Sequence, residues 1–567
     1  MPQPLKINDS LVNPLRPPAS VMRLARIGSF HQSRLSFMRV LLRRLKQQGW
    51  RFDRPVWKID EQGVGLATYR AIGPERTYTL VAFAHDLPDD QRSDRVIAEA
   101  WDATFTLYDG EPSEEDIARL RDQVPLQEAG RISETELVLA RANRSVRLFG
   151  HVIDRLASGT QPDRDLIEPV GYLMRTTAVY GSGKFGATDR DKWANRVEFR
   201  GSFQPELLSV WLIRSFTIDL VEYLAQVKAP ETAVPLSYDL RHRFGVGNST
   251  GLGLAPFLVT HPALIHSWVH ARETALARVR SIEIASEEKI AVFHNRLARA
   301  RINAENWQAD HAYQAPKIVS LRNDLDSLTR HLEANPLIGP HPWNRLHEWA
   351  ESALSLEGQE QLVSLMMEPY GEFVDELADN MSADEDASFH IDGTMTVAGL
   401  KELVETSYGW ALSVDFNKKE SIARVWYVSE EKLEPRLGER FDEPVEPYEQ
   451  PLAPGRDAAA MYDTLQTWDD TSTVAAFLIE HPEHRRATRR AQLSAGLSFA
   501  EIRDNTIAED MLPIDLLRCK LSFFGATKFD PRSDRWVRIT MFQGAPFPDE
   551  LSDTDPDDLA YPPLAAS

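Results

Sequence analysis

Cysteine is nearly absent: Cys519 is the one thiol in 567 residues. That excludes an intrachain disulfide, a cysteine-ligated zinc finger and a cysteine-bound iron–sulfur cluster, and it points to a reducing compartment. Long apolar runs are missing too. A membrane helix needs ~20 apolar residues, and the longest candidate, Leu207 to Ile213, is stopped by Arg214. Pro2, Pro4, Asn8 and Asp9 come before any hydrophobic run, so no apolar signal core is read and a cytoplasmic location is expected. Positive charge is scarce as well: 64 Lys and Arg against 85 Asp and Glu leave a formal charge of −21. Such a surface repels phosphate backbones and argues against general nucleic-acid binding. What is present is globular: 43% hydrophobic, 26% charged and 9% aromatic residues suit a multidomain chain rather than a disordered or fibrous one.

The scarce cations are unevenly spread. Residues 1–54 hold eleven Lys or Arg and only two acids, Asp9 and Asp53. Within them Ser33 to Gln48 reads as a helix, with Leu35, Met38, Leu42 and Leu45 on one face and Arg34, Arg39, Arg43, Arg44 and Lys46 elsewhere. Between Tyr370 and Asp392 the balance reverses, with eight acids and no Lys or Arg.

The pattern predicts an α+β fold, mainly helical in its middle, with small antiparallel β elements in the N-terminal, central and C-terminal regions. Gly65–Ala71 and Thr77–Ala84 flank the turn Gly73-Pro74-Glu75 as a hairpin. Ser113-Glu-Glu-Asp opens a helix, and Thr135–Leu156 reads as a longer one. Pro205–Val227, Pro262–Arg301, Asp324–Glu333 and Gln359–Met381 are helical by spacing, and Ala411–Asp415 with Ile422–Val428 as a strand pair. Trp536–Phe542 closes the chain as a strand before an acidic tail. Four regions are expected: an N-terminal α+β domain at 1–160, a helical domain at 161–430, a Pro/Glu-rich connector at 431–456, and a C-terminal helical domain at 457–567. Pro169–Arg175 and Pro513–Arg518 echo each other, as do Lys184 and Lys528 downstream, which suggests an internal duplication with Arg175, Lys184, Arg518 and Lys528 as paired cations.

Two glycine-rich stretches carry the chemistry. Ala178-Val-Tyr-Gly-Ser-Gly-Lys184-Phe185 falls short of a phosphate loop, because Ala178 replaces its first glycine and Phe185 its magnesium-binding Ser or Thr. Tyr180, Ser182 and Lys184 remain suited to binding or protonating an anion there, with Arg175 just upstream. In the second stretch Gly247, Gly251 and Gly253 have a spacing that resembles the cofactor loop of short-chain dehydrogenases. The polar run Ser237–Phe244 before it, and a following Tyr313/Lys317 pair interrupted by Pro316, do not fit that family. The loop still offers Asn248, Ser249, Thr250 and Gly251 as donors, with Arg241 and Arg243 supplying charge.

His266, His270 and Glu273 recur at i, i+4 and i+7, a donor set suited to a divalent metal. The leading expectation is a soluble metabolic enzyme acting on a small carboxylate or phosphate. Tyr180 or Lys184 would move a proton, and Arg175, Ser182, Arg241, Arg243, Asn248, Ser249, Thr250 and Gly251 would hold the anion. The alternatives are a metal-dependent enzyme using His266, His270 and Glu273, and a non-catalytic assembly protein or homo-oligomer docking through residues 1–54.

Overall fold

The computed structural model describes residues 13–88, 100–126, 134–176, 196–248, 261–305, 307, 309, 314–381, 390–416, 426–428, 450–452, 454–503, 513–530 and 538–555. The basic leader becomes helix α1 (Phe37–Gln47), capped by Ser36, whose side chain accepts from Arg39 N–H. Met38, Leu41, Leu42 and Leu45 are buried, and so are Arg39 and Arg43. Buried guanidiniums need acids. Arg39 makes a bidentate pair with Glu368, Arg34 another with Asp375, and Arg44 reaches Asp379 at 3.0 Å. Upstream, Arg16 spans Glu273 and Glu360. Lys289 and Arg278 take Glu372 and Glu376. Leader and acidic stretch thus meet at Arg34, Arg43 and Arg44 with Asp375 and Asp379, while other helices pair with the remaining acids described. Where described, the cationic helix of residues 1–54, expected to dock on a partner, packs largely into its own chain.

The sheet takes β1 (Arg51–Ile59), β2 (Gly65–Ile72), β3 (Thr77–Ala84), β4 (Ala103–Asp109), β5 (Glu136–Arg144), β6 (Tyr172–Thr176) and β7 (Gly245–Asn248) in chain order. After a separate short pair, β8 (Trp426–Val428) with β9 (Gln450–Leu452), it is completed by β10 (Ala526–Asp530) and β11 (Arg538–Met541). The order is β1-β2-β3-β4-β5-β6-β7-β11-β10, antiparallel throughout except for the parallel pair β6–β7. The boundary expected near 160 thus falls between neighbouring strands of one sheet, and the C-terminal region supplies two more.

Helix α2 (Glu114–Gln123) opens with a Ser113/Asp116 capping box, as the sequence predicts. Thr135–Leu156 is corrected: it splits into β5 and helix α3 (Phe149–Ala157). The run Leu137 to Ala140 is buried on both faces of a central strand, which erases the alternation that would mark it. The long helix α4 (Gln204–Lys228) crosses one face of the sheet. Trp211 and Arg214 donate to Pro546 and Ala545 carbonyls near β11, and Tyr223 donates to the Ile59 carbonyl of β1.

The helical body continues with α5 (Pro262–Arg280), α6 (Glu287–Glu305), α7 (Ala315–Ala334), α8 (Pro342–Ala353) and α9 (Leu356–Met367). One apolar core runs from Val21 to Leu551 through sheet and helices. A second core is closed by α10 (Val397–Leu412), α11 (Pro454–Leu465), α12 (Val474–Glu480) and α13 (Arg485–Ala495). Ala411, expected in a strand, lies in α10, and β8 pairs with β9 instead. Of the expected connector at 431–456, Gln450–Leu452 is strand β9 and Pro454 begins α11, while residues 431–449 and 453 lie outside the described residues.

The expected duplication does not hold. Tyr172–Arg175 is strand, whereas Pro513–Cys519 is helix α14. A different repeat exists in the small unit. Asp392-x-Thr394-x-Thr396 and Asp469-x-Thr471-x-Thr473 each form an Asp-to-Thr turn followed by a Thr N-cap. The two turns pair face to face, Val397 N–H donating to Ser472 and Val474 N–H to Met395. Among the described residues no helix is long and apolar enough to cross a membrane.

Candidate functional site

Strand alternation gives the sheet two faces of different character. Val138, Ala140 and Ala142 of β5 belong to the main core on the α4 side, while Leu139, Arg141 and Asn143 point the other way. On that second face Leu66, Val81, Phe83, Tyr108 and Leu139 close an apolar cluster with Leu120 of α2 and Val124 just beyond it. Toward β6 and β7 the same face turns polar. Register pairs Thr104 with Arg141, Asn143 with Arg175, Arg175 with Gly247, and Gly247 with Thr540. Thr104, Thr106, Asn143, Arg175 and Thr540 are all buried, and Arg141 is half-buried.

Gly247 is required here by contact rather than by backbone angle. A Cβ on it would lie 2.8 Å from the Tyr172 ring and 2.9 Å from Arg175 Cγ. Its absence lets both side chains lie across β7. Asn143 fixes the next segment: its Oδ1 accepts from Asp102 N–H at 2.9 Å, and its Nδ2 donates to the Ala100 carbonyl at 3.2 Å. Between them sits Trp101, whose ring centroid is 5.3 Å from the Arg141 guanidinium carbon. His85 Nε2 lies 2.8 Å from Thr104 Oγ1. Burial lowers the His85 pKa, with nearby Asp102 opposing, so the imidazole is neutral near pH 7.

The parallel pair matters because both chains leave it from the same end, at Thr176 and Asn248. In sheets with parallel strands, ligands gather outside those carboxyl ends. The two sequence segments expected to share a pocket thus begin on adjacent strands. Of their residues, Tyr180, Ser182, Lys184, Ser249, Thr250 and Gly251 lie outside the described residues. Asn248 alternates with Gly247 onto the opposite face, beside Val246 and opposite Ile539.

Arg241 and Arg243 are placed differently from expectation. Both precede β7, at the end opposite the loop. Arg243 pairs with Glu168 and Asp239, and Arg241 stacks over Phe547 at 4.0 Å and lies 3.6 Å from Asp549. Local acids are the partners of these cations. Arg518 is likewise buried against Asp515 and Glu357, and the Lys528 side chain lies outside the described residues.

The helix-face metal reading is corrected. The His266 and His270 rings lie with centroids 5.4 Å apart at a tilt of 34°, but seven residues of helix separate His266 from Glu273 by about 10 Å of rise. Glu273 is fully buried and taken by Arg16 in a bidentate pair. His266 Nδ1 accepts from Phe499 N–H at 3.1 Å, and burial, with His270 adding to it, drops its pKa to about 4. No cluster of three or more His, Cys, Asp or Glu suited to a metal occurs among the described residues.

His85, Trp101, Arg141 and Asn143 were not singled out by the sequence. Their signal, polar residues alternating at 141 and 143, is hidden inside a run that reads as helix. No family model, curated protein or solved structure matches the chain.

Proposed function

We propose that this protein binds a small anionic molecule, a carboxylate or phosphate, on the polar half of the sheet face beside Arg141 and Arg175. The observation that carries this reading is that Arg141 and Arg175 lie on one face of adjacent strands, Arg175 opposite Asn143 and beside a glycine at which a Cβ would collide, near the carboxyl ends of the parallel pair. Planar guanidiniums suit carboxylate and phosphate oxygens. Trp101 would hold Arg141 in place and offer an apolar wall. An enzymatic role would rest on His85, a neutral imidazole able to accept a proton.

The test is thermal stabilisation by inorganic phosphate, malonate and citrate. At least one should raise the melting temperature of the wild type, and Arg175→Ala and Gly247→Ala should each abolish that rise. Circular dichroism of Arg175→Ala should be unchanged. If none of the three anions stabilises the protein, or if Arg175→Ala keeps the full response, the reading fails.

A further inference from the structure

Helix α13 carries the sequence Arg485-Arg-Ala-Thr-Arg-Arg490 on a chain of net charge −21. Its inward residues, Ala487, Thr488 and Ala491, are buried in the small core. Arg490 is held by Glu501. Arg485, Arg486 and Arg489 stand at i, i+1 and i+4 and so share the outer side of the helix. Arg485 and Arg486 are exposed, and among the described residues neither has a carboxylate within ion-pair distance. Many of the described arginines, Arg39, Arg272 and Arg518 among them, are paired with acids. These two also oppose the helix dipole, a cost of a few tenths of a kcal/mol each that a bound negative charge offsets.

The adjoining corner is packed by ring contacts and carries an exposed apolar side chain. Between α12 and α13 the Phe477 ring stacks on His484 at 5.8 Å, and His481 packs edge-on against Trp468. Ile479, at the end of α12, is 80% exposed, the most exposed large hydrophobic residue described. The exposed Ile479 thus precedes the two exposed arginines by six and seven positions across the turn between α12 and α13.

We infer that this corner of the small helical unit docks an acidic peptide segment of a partner protein. Charge complementarity selects an anion, and Ile479 selects one that also carries an apolar side chain. A nucleic-acid backbone is disfavoured, because it needs a longer track of cations than one helical turn provides. This inference is independent of the anion site on the sheet.

The probe is a short fluorescein-labelled peptide of glutamates around a central leucine, titrated with the full-length protein at low salt and followed by anisotropy. Binding is expected, and Arg485→Glu combined with Arg486→Glu should weaken it by about tenfold or more. Ile479→Ser should weaken it severalfold without changing its salt dependence. All three positions are exposed, so the melting temperature should hold. Unchanged affinity in the double variant overturns the inference. A thymidine oligonucleotide of equal charge binding as tightly would reassign the corner to nucleic acid. Salt-sensitive self-association lost in the double variant would reassign it to a second copy of the chain.

Discussion

Glu368 concentrates the logic of the interior in one side chain. Its carboxylate accepts from Arg39 at 2.6 and 2.9 Å and lies 2.8 Å from His31 Nε2, with all three groups buried. Burial opposes its ionisation, but Arg39 and His31 outweigh burial and hold its carboxyl well below the usual carboxylate range. Glu368→Gln would leave Arg39 charged and poorly paired, and we expect a loss of about 3–5 kcal/mol in urea denaturation. Because the folded pKa is depressed, the Glu368 contribution is complete above the unfolded value and is lost as pH falls through the folded one. His347 acts in the same direction for another reason. Burial first, then Arg280 and Arg16, push its pKa down to about 3. The unfolded imidazole takes up a proton near pH 6.5 while the folded one does not, so stability falls as pH drops from about 6.5 toward 3. Midpoints of urea denaturation measured from pH 7 to 4 should decline, and His347→Gln should flatten that decline. None of these pairings is legible in the sequence. Arg39 looks like a solvated cation because its acid lies 329 positions away.

Elements show which local signals survive tertiary context. The Ser113 capping box, the β2–β3 hairpin and the α4 periodicity are local devices, and each forms where the sequence predicts it. β5 is misread because a strand buried on both faces loses its period of two. The sheet's β1 edge is protected in ways the sequence does carry: Pro55, a bulge between Asp53 and Val56, and exposed Arg51, Arg54 and Lys58 all discourage pairing with another chain. Elsewhere two elements touch backbone to backbone. A Cβ at Gly28 would lie 2.2 Å from Cys519 N and 2.3 Å from Arg518 C. No rotamer relieves a backbone collision. Gly28→Ala should therefore cost about 3 kcal/mol or more, read as a lowered denaturation midpoint. Of the candidate site, Arg175 and the glycines were legible because they lie beside conspicuous loops. Arg141 and His85 were not, since only strand register brings them near.

At the scale of the molecule there are two main cores, a smaller apolar cluster on the outer sheet face, and one latch. Glu501 accepts from Tyr408 O–H at 2.6 Å and from Arg490, both of the small unit, while its neighbours Phe499 and Ile502 sit in the main core. Glu501→Ala should uncouple the two, so that scanning calorimetry shows two resolved transitions where the wild type shows one. The repeat Asp-x-Thr-x-Thr-Val-Ala is present twice in the sequence and marks the small unit directly. The large unit has no such mark, because its sheet draws on strands from residue 51 to residue 541.

That pairing of early cations with late acids has a consequence for biosynthesis. At ~5–20 residues per second, Arg39 is synthesised roughly 16–66 s before Glu368. During that interval α1 carries exposed leucines and uncompensated charge, with neither β10 nor β11 yet available to close the sheet. Folding of the large unit is therefore tied to completion of the chain, and ribosome-bound intermediates of this protein are natural clients for chaperones that shield basic, apolar segments.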